Sequence, residues 1–236
     1  MSANLGLLND VQLRFLCPDD VEEVKRLCRE WFPIEYPDSW YKDITSSPRF
    51  FSLAATHCKE IIGLVVAEVK PRVLCNREDA GILDYNYKEN YHVAYILSIG
   101  VDKNYRRRKI GSLLLDSLIS NLTTPEQQNC KAIYLHVLSS NTAAIRFYET
   151  RCFKKFSYLP MYYAINGAHR DGYLYVLYVN GGTPPWTFSD TIRYATSKLI
   201  SLKPCKIPLY VLSSLYDWLV WFAPVQSVRD SCVRTM

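Results

Sequence analysis

One stretch of this chain limits its fold more than any other. His92-Val93-Ala94-Tyr95-Ile96-Leu97-Ser98-Ile99-Gly100-Val101 is apolar and rich in strand formers, and it leads into the basic turn Arg106-Arg107-Arg108-Lys109-Ile110-Gly111-Ser112. Leu113, Leu114, Leu115 and Leu118 then follow an apolar helical pattern, which predicts a strand over 92–101 and a helix over 111–121. Strand, basic glycine-containing turn and helix together aim several backbone N–H groups and a helix N-terminus at one point. That arrangement suits the phosphates of a pyrophosphate-bearing cofactor. Taken alone, a run of Arg and Lys is usually no more than a solvated turn.

The rest of the chain supplies more elements. Residues 10–16 alternate as a strand, and Pro18-Asp19-Asp20 opens a helix carrying Val21, Val24, Leu27, Cys28 and Trp31 on one face. The aromatic segment from Trp31 to Trp40 contains Pro33 and Pro37 and predicts a loop between short helices. Residues 50–56 and 61–69 read as a hairpin around Cys58-Lys59, and 71–90 as polar and irregular. A strand over 131–138, a helix over 141–150 and a hairpin of 153–165 with 173–179 follow, the last joined near Asn166-Gly167 and Asp171-Gly172. The order is β-α-α-β-β-β-α-β-α-β-β. The character changes at Gly181-Gly182-Thr183-Pro184-Pro185, which places a domain over 1–182 and an extension over 183–236.

Composition narrows the function class. The 236 residues are 49% hydrophobic and 22% charged, a globular balance. The net charge of +5 comes without a long basic arm, so local anion sites explain it better than nucleic acid does. The eight cysteines form no CxxC pair and no His cluster has zinc spacing, so no metal is expected and the thiols are expected to be reduced, as in the cytosol. The opening Met1-Ser2-Ala3-Asn4-Leu5 suggests neither a signal peptide nor myristoylation. No run reaches the ~18 apolar residues of a spanning helix.

A second motif decides between a solvated turn and a cofactor turn. It is Asn141-Thr142-Ala143-Ala144-Ile145-Arg146-Phe147-Tyr148-Glu149, followed by Cys152-Phe153. With the turn and the element order, residues 10–180 resemble the GCN5-related N-acetyltransferases. The resemblance implies an α/β (α+β) fold with a mixed, mostly antiparallel sheet, its fourth and fifth strands splayed, flanked by helices. It implies acetyl-CoA as co-substrate, held by Ile99, Gly100, Val101, Arg107, Arg108, Lys109, Ile110, Gly111 and Ser112, and by Asn141, Tyr148, Glu149, Thr150 and Arg151. Tyr148 would meet the CoA sulfur. Lys109 stands where the family usually has its first glycine. A lysine tolerates positive φ poorly, so either the position is right-handed or cofactor affinity suffers.

The resemblance extends to a Golgi-associated branch of the N-terminal acetyltransferases. It is carried by Trp31-Phe32-Pro33-Ile34-Glu35-Tyr36-Pro37, Ala94-Tyr95-Ile96-Leu97-Ser98, Ala132-Ile133-Tyr134-Leu135-His136-Val137 and Asn180-Gly181-Gly182-Thr183-Pro184-Pro185-Trp186. It implies Tyr95 and His136 as catalytic residues and Glu35, Tyr36, Leu97 and Tyr163 as peptide contacts, with Tyr162 beside them on the rim. The implied substrates are N-termini beginning Met-Lys, Met-Ala, Met-Val or Met-Met, especially cytosol-facing termini of transmembrane proteins.

The chemistry fits those residue types. A free α-amine titrates at roughly 7.7–8.0, so it must lose a proton before attacking a thioester. A histidine can take that proton directly or through one water, whereas a tyrosine, at roughly 10, needs activation or orders a water. Backbone N–H groups near Leu97 to Ile99 would meet the oxyanion, if the strands splay. Without the family positions, His136 between Leu135 and Val137 would default to a satisfied half-buried histidine and Tyr95 to core. Lysine acetylation, for example of histones, and a feebly catalytic membrane-bound acetyl-CoA-binding adaptor are the alternatives.

The extension has its own pattern. Phe188, Ile192, Ala195, Leu199 and Leu202 recur at helical spacing, as do Leu209, Leu212, Leu215, Leu219 and Phe222, with Lys198, Lys203 and Lys206 nearby. Amphipathic helices of this kind lie in membrane interfaces or pack on protein. The resemblance favours a peripheral anchor over 187–236 on the cytosolic face of the Golgi, and leaves oligomeric state open, a homodimer included.

Overall fold

The computed structural model describes residues 10–84, 86, 87, 90–165, 167–186 and 192. Its elements are β1 (Gln12–Phe15), α1 (Val21–Trp31), α2 (Asp38–Ser46), β2 (Phe50–His57), β3 (Glu60–Pro71), β4 (His92–Val101), α3 (Ile110–Leu122), β5 (Cys130–Leu138), α4 (Thr142–Glu149), β6 (Lys154–Ile165) and β7 (Ala168–Tyr178). This is the predicted order. The strands form one seven-stranded sheet, β1-β2-β3-β4-β5-β7-β6, antiparallel except where β4 meets β5.

The parallel pair is the fold's opening. β4 and β5 are in register only from His92 with Cys130 to Tyr95 with Tyr134. Beyond those tyrosines both strands continue unpaired with each other, β4 to Val101 and β5 to Leu138. A bulge helps to part them. On β3, Val66 faces Ser98 and Ala67 faces Ile96, so Leu97 is the extra residue of β4. The expected splay of the fourth and fifth strands is therefore present, and it exposes backbone polar groups inside a cleft.

Three apolar clusters hold the layers. On one face Ile110, Leu114, Leu115 and Leu118 of α3 pack on the sheet together with Tyr148 and Phe153. On the other, Val24, Leu27 and Cys28 of α1 and Tyr41 and Ile44 of α2 cover β2 and β3. The third cluster was not expected. Ile82 and Leu83, from a segment that reads as polar and irregular, are 0% and 1% exposed and pin that segment onto β4, β5 and β7. At ~1.5–3 kcal/mol per buried large aliphatic side chain, these two residues suffice to fix a loop.

The final hairpin differs from expectation. Its reversal falls at Gly167, with φ 73°, and β7 already begins at Ala168, so Asp171-Gly172 lies within a strand. The dipeptide serves a bulge instead of a turn. Leu159 faces Gly172 and Tyr163 faces Arg170, leaving Pro160, Met161 and Tyr162 opposite Asp171 alone. The Asp171 carboxylate accepts the Met161 N–H at 2.9 Å. A Cβ at Gly172 would stand 3.1 Å from the Tyr163 ring.

The glycine-rich close of the domain is equally specific. The Asn180 side-chain amide donates to the carbonyls of Leu122, Gln127 and Cys130 at 2.8–3.0 Å. At Gly182 a Cβ would run into the Lys131 carbonyl. Contacts divide the chain between Pro184 and Pro185. The helical repeats expected over 187–236 lie outside the described residues, Ile192 apart. Among the described residues no helix is long and apolar enough to cross a membrane.

Cys17, Cys28, Cys58, Cys75 and Cys130 are free thiols. Burial pushes Cys28 up to about 12 and Cys130 up to about 11, which makes both inert.

Candidate active site

His136, on β5 just past the last paired residue, is the hub of the cleft. Its Nε2 lies 2.9 Å from Oδ1 of Asp79, and the two side chains are 2% and 0% exposed. A carboxylate only accepts, so Nε2 carries the hydrogen and Nδ1 is left as an acceptor. Two hydroxyls reach that nitrogen, Tyr95 from β4 and Tyr162 from β6, each at 3.0 Å. Tyr95 is stacked on Tyr134 at 4.8 Å, and the Lys70 ammonium of β3 lies over its ring, 5.4 Å from the centre. Tyr95 and His136, read from the sequence as a pair, are thus in direct contact.

Asp79 had no role in the sequence reading. It sits in Arg77-Glu78-Asp79, which reads as a solvated charge run, yet the Ile82-Leu83 anchor carries it into the interior. Tyr178 reinforces that anchor by donating to the Ile82 carbonyl at 2.7 Å. Ile82-Leu83 embedded in polar sequence was the one available signal. A buried carboxylate is costly unless partnered, and the imidazole N–H is its partner. Its second oxygen, Oδ2, has none among the described residues.

Desolvation raises the tyrosines of this cluster. Tyr162 is pushed up to about 12, with the Asp79 and Glu78 charges adding to burial. Tyr95 is driven further, first by burial and then by Tyr162 and Tyr163. Neither hydroxyl is a ready tyrosinate near neutrality. What they can do is pass a proton to Nδ1 while taking up another. Because His136 is covered, an amine in the cleft reaches it only through a hydroxyl or a water.

The rim beside this cluster is aromatic. A Cβ at Gly100 would stand 2.7 Å from Trp31 and 2.8 Å from Phe32, so β4 has a glycine where the loop after α1 crosses it. Tyr36, on that loop, stacks on Trp40 at 4.0 Å, and burial pushes it up to about 12. Leu97, the bulged residue of β4, packs against the same cluster. Tyr163 meets Tyr162 edge-on at 5.1 Å, and its hydroxyl is raised first by burial and then by Tyr162, Tyr148 and Tyr36. Glu35 is exposed beside Tyr36. The rim candidates Tyr36, Leu97, Tyr162 and Tyr163 therefore border one cleft.

The basic turn resolves the question at Lys109. The residue is left-handed, with φ 65° and ψ 5°, and Arg107 is left-handed too, with φ 64°. The lysine adopts the conformation that a glycine would take at lower cost. Its carbonyl accepts the Leu113 N–H, so α3 starts there and the N–H groups of Ile110, Gly111 and Ser112 have no acceptor within the helix. Arg106 donates to the Val101 carbonyl and Arg108 lies over the Tyr105 ring. Arg107 and Lys109 are exposed, with no ion pair among the described residues. Free N–H groups, a helix N-terminus and two uncommitted cations fit a pyrophosphate. A Cβ at Gly111 would only touch Val101 and Phe147 at 3.6 and 3.7 Å, so packing does not demand that glycine; close approach of a phosphate would.

The Asn141 motif is a helix start. Its side-chain oxygen accepts the Ala144 N–H at 3.1 Å, capping α4. Tyr148 is 6% exposed, and its hydroxyl has no hydrogen bond among the described residues. The end of this helix serves the protein itself. Glu149 accepts from Tyr175, Thr150 donates to the Phe147 carbonyl, and Arg151 is paired with Asp116 at 2.8 Å. Ile110 is core, so only its backbone is available, while Ile99 and Val101 pack partly on the same core. No group of described residues has the makings of a metal site.

Comparison with known proteins agrees with this geometry. Residues 21–153 match the Acetyltransferase (GNAT) family. The N-alpha-acetyltransferase 60 of Danio rerio is 54% identical over 223 residues, 94% of this chain and 92% of that one. A histone acetyltransferase of Arabidopsis thaliana, MCC1, is 30% identical over 78% of this chain and 76% of its own. The crystal structure of Arabidopsis thaliana NAA60 with a bisubstrate analogue superposes with a TM-score of 0.66 at 30% identity, covering 72% of this chain and 99% of that one. The same enzyme with acetyl-CoA gives 0.65, again at 30% identity over 72% and 99%. The chain belongs to the GNAT acetyltransferase family and is closely related to its N-alpha-acetyltransferase 60 members.

Proposed function

We propose that this acetyltransferase moves the acetyl group of acetyl-CoA to the free α-amine of protein N-termini, with His136 as the base. The observation that carries this reading is the buried chain from Asp79 through His136 to the tyrosine hydroxyls, at the point where β4 and β5 part. Acetyl-CoA would lie in that opening, its pyrophosphate at residues 107–112 and its sulfur near Tyr148. The acceptor N-terminus would enter past Tyr36 and Tyr163. A hydroxyl relays the amine proton to Nδ1, and Asp79 holds the imidazolium that results. The freed amine attacks the thioester carbonyl, and β4 N–H groups near the Leu97 bulge meet the oxyanion. As the intermediate collapses the C–S bond breaks, and the departing thiolate takes the proton that the attacking nitrogen sheds.

The preferred substrates would begin Met-Lys, Met-Ala, Met-Val or Met-Met and include cytosol-facing termini of transmembrane proteins. The domain boundary would lie at 182–183, and residues 187–236 would hold the enzyme at the cytosolic Golgi membrane as a peripheral anchor. Support for this comes from the amphipathic sequence pattern and from the Danio rerio relative, which spans nearly the full chain. Homodimerisation is a further option, tested by mass in solution. Deleting 187–236 should release the protein to the cytosol with turnover intact; a truncation that stays on membranes overturns the anchor.

Lysine acetylation is the second reading, favoured by the histone acetyltransferase relative. A lysine amine titrates near 10.4, so its proton is harder to remove than that of an α-amine. Met-Lys peptides with free and with blocked N-termini separate the two. Turnover confined to the free peptide supports the α-amine; equal turnover of the blocked peptide overturns it.

A further inference from the structure

We propose that Tyr162 is a second proton relay to His136, parallel to Tyr95, and that the β6 bulge exists to put it there. This rests on the reading of His136 as the base. With Nε2 committed to Asp79, Nδ1 has one lone pair, and two hydroxyls stand at the same 3.0 Å from it. They arrive from opposite sides of the opening, Tyr95 on β4 and Tyr162 on β6. Only one can donate to Nδ1 at a time. The other then bonds to its neighbour, because the Tyr95 and Tyr162 hydroxyls also hydrogen-bond each other, so either can hand a proton inward.

The placement of Tyr162 is costly. β6 is an edge strand, and at the bulge Met161 is held at φ 52° although it is not a glycine. The Met161 side chain gains nothing from this, being 67% exposed. What the bulge does is bring Tyr162 to 4.5 Å, centre to centre, from the His136 ring. Asp171 fixes the bulge through the Met161 N–H, and Gly172 leaves room for the adjoining rings. Local strain kept for a side chain that touches a buried histidine points to function.

The two hydroxyls are not equivalent. Tyr95 is stacked on Tyr134 and has the Lys70 ammonium over its ring, whereas Tyr162 packs on the His136 ring and burial raises it less. In the relay an ammonium N–H bond breaks as an O–H bond forms on Tyr162, while the original O–H proton moves to Nδ1. Tyrosine ends neutral, so its raised titration is no obstacle, and the charge rests on the imidazolium beside Asp79. The other groups facing this path are Glu78 from the Asp79 loop, Tyr134 from β5, Lys70 from β3 and Tyr163 from β6.

The test is a cycle of Tyr95→Phe, Tyr162→Phe and the double variant in the full chain. The readout is kcat and KM for a Met-Lys peptide across pH, with thermal melting to check folding. Parallel relays predict that each single change lowers kcat about tenfold or less, while the double lowers it by about 10²–10⁴ and by more than the product of the singles. The double variant should also move the acid limb of kcat/KM to higher pH, because both donors that favour the unprotonated ring are gone, whereas either single change should leave it nearly in place. A double variant no slower than Tyr95→Phe overturns the proposal, as does a Tyr162→Phe that changes KM alone. If His136→Ala keeps full turnover, it is the underlying assignment of the base that fails.

Discussion

The two halves of the cleft are built in opposite ways. At the cofactor turn, Arg107 and Lys109 are exposed and without ion pairs among the described residues, and the geometry comes from the backbone of one short segment. Around His136 every nitrogen is spoken for, the side chains are buried, and the partners come from a loop, β4 and β6. On the proposed assignment, a diffuse polyanion would be met by loose charge on a stiff turn, and a single proton by fixed distances. The first half should therefore govern affinity and salt response, and the second, turnover.

The sharpest way to break this comparison is His136→Ala. Turnover should fall about 10²–10⁴-fold with acetyl-CoA affinity unchanged. A parallel loss of affinity by calorimetry would mean that the halves are one unit. Asp79→Asn comes next. It keeps the shape but removes the charge opposite the imidazolium, and should lower kcat about 10–100-fold, as partners behind functional histidines do. The loss should appear in kcat more than in KM.

An ion pair away from the cleft serves as a control. Asp20 accepts two hydrogen bonds from Arg14 at 2.7 Å and one from the Cys17 N–H, and the guanidinium holds its carboxyl down at about 2, from 3.8. Its pKa is depressed on folding, so its contribution of about 2 kcal/mol is complete above the unfolded value and disappears as pH falls through 2. Denaturant titrations of Asp20→Asn at pH 7 should show that loss without any change in kcat.

The smallest effect tests the turn itself. Lys109→Gly should relieve the left-handed lysine and raise stability by about 0.5–1 kcal/mol, while acetyl-CoA binding becomes less dependent on salt. A lowered melting temperature would mean that the lysine side chain stabilises the turn in a way the geometry does not reveal.

The same contrast decides what could be read from the sequence. The strand over 92–101, the turn and the helix after it are local, and their residues are contiguous. So is the Asn141 cap. Tyr95 and His136 were legible as residue types on neighbouring strands, but only the family resemblance joined them. Asp79 was hidden because its partner is 57 positions away and its own neighbours are charged. The β6 bulge was hidden in another way: Asp171-Gly172 has the composition of a turn, and the ladder overruled it. Pro160 was its one local sign, since proline in an edge strand marks a break in pairing. Lys109 shows the reverse limit, where composition argued against a conformation that the turn adopts regardless.

Gly100 ties the two substrates together. With no atom between it and the rings of Trp31 and Phe32, the loop proposed to receive the acceptor rides on the very strand proposed to border the cofactor. A displacement of β4 on acetyl-CoA binding would then be passed to the loop with little slack. By linkage, an acceptor peptide that steadied the loop would return the same free energy to the cofactor, and the affinities of donor and acceptor would rise or fall as one.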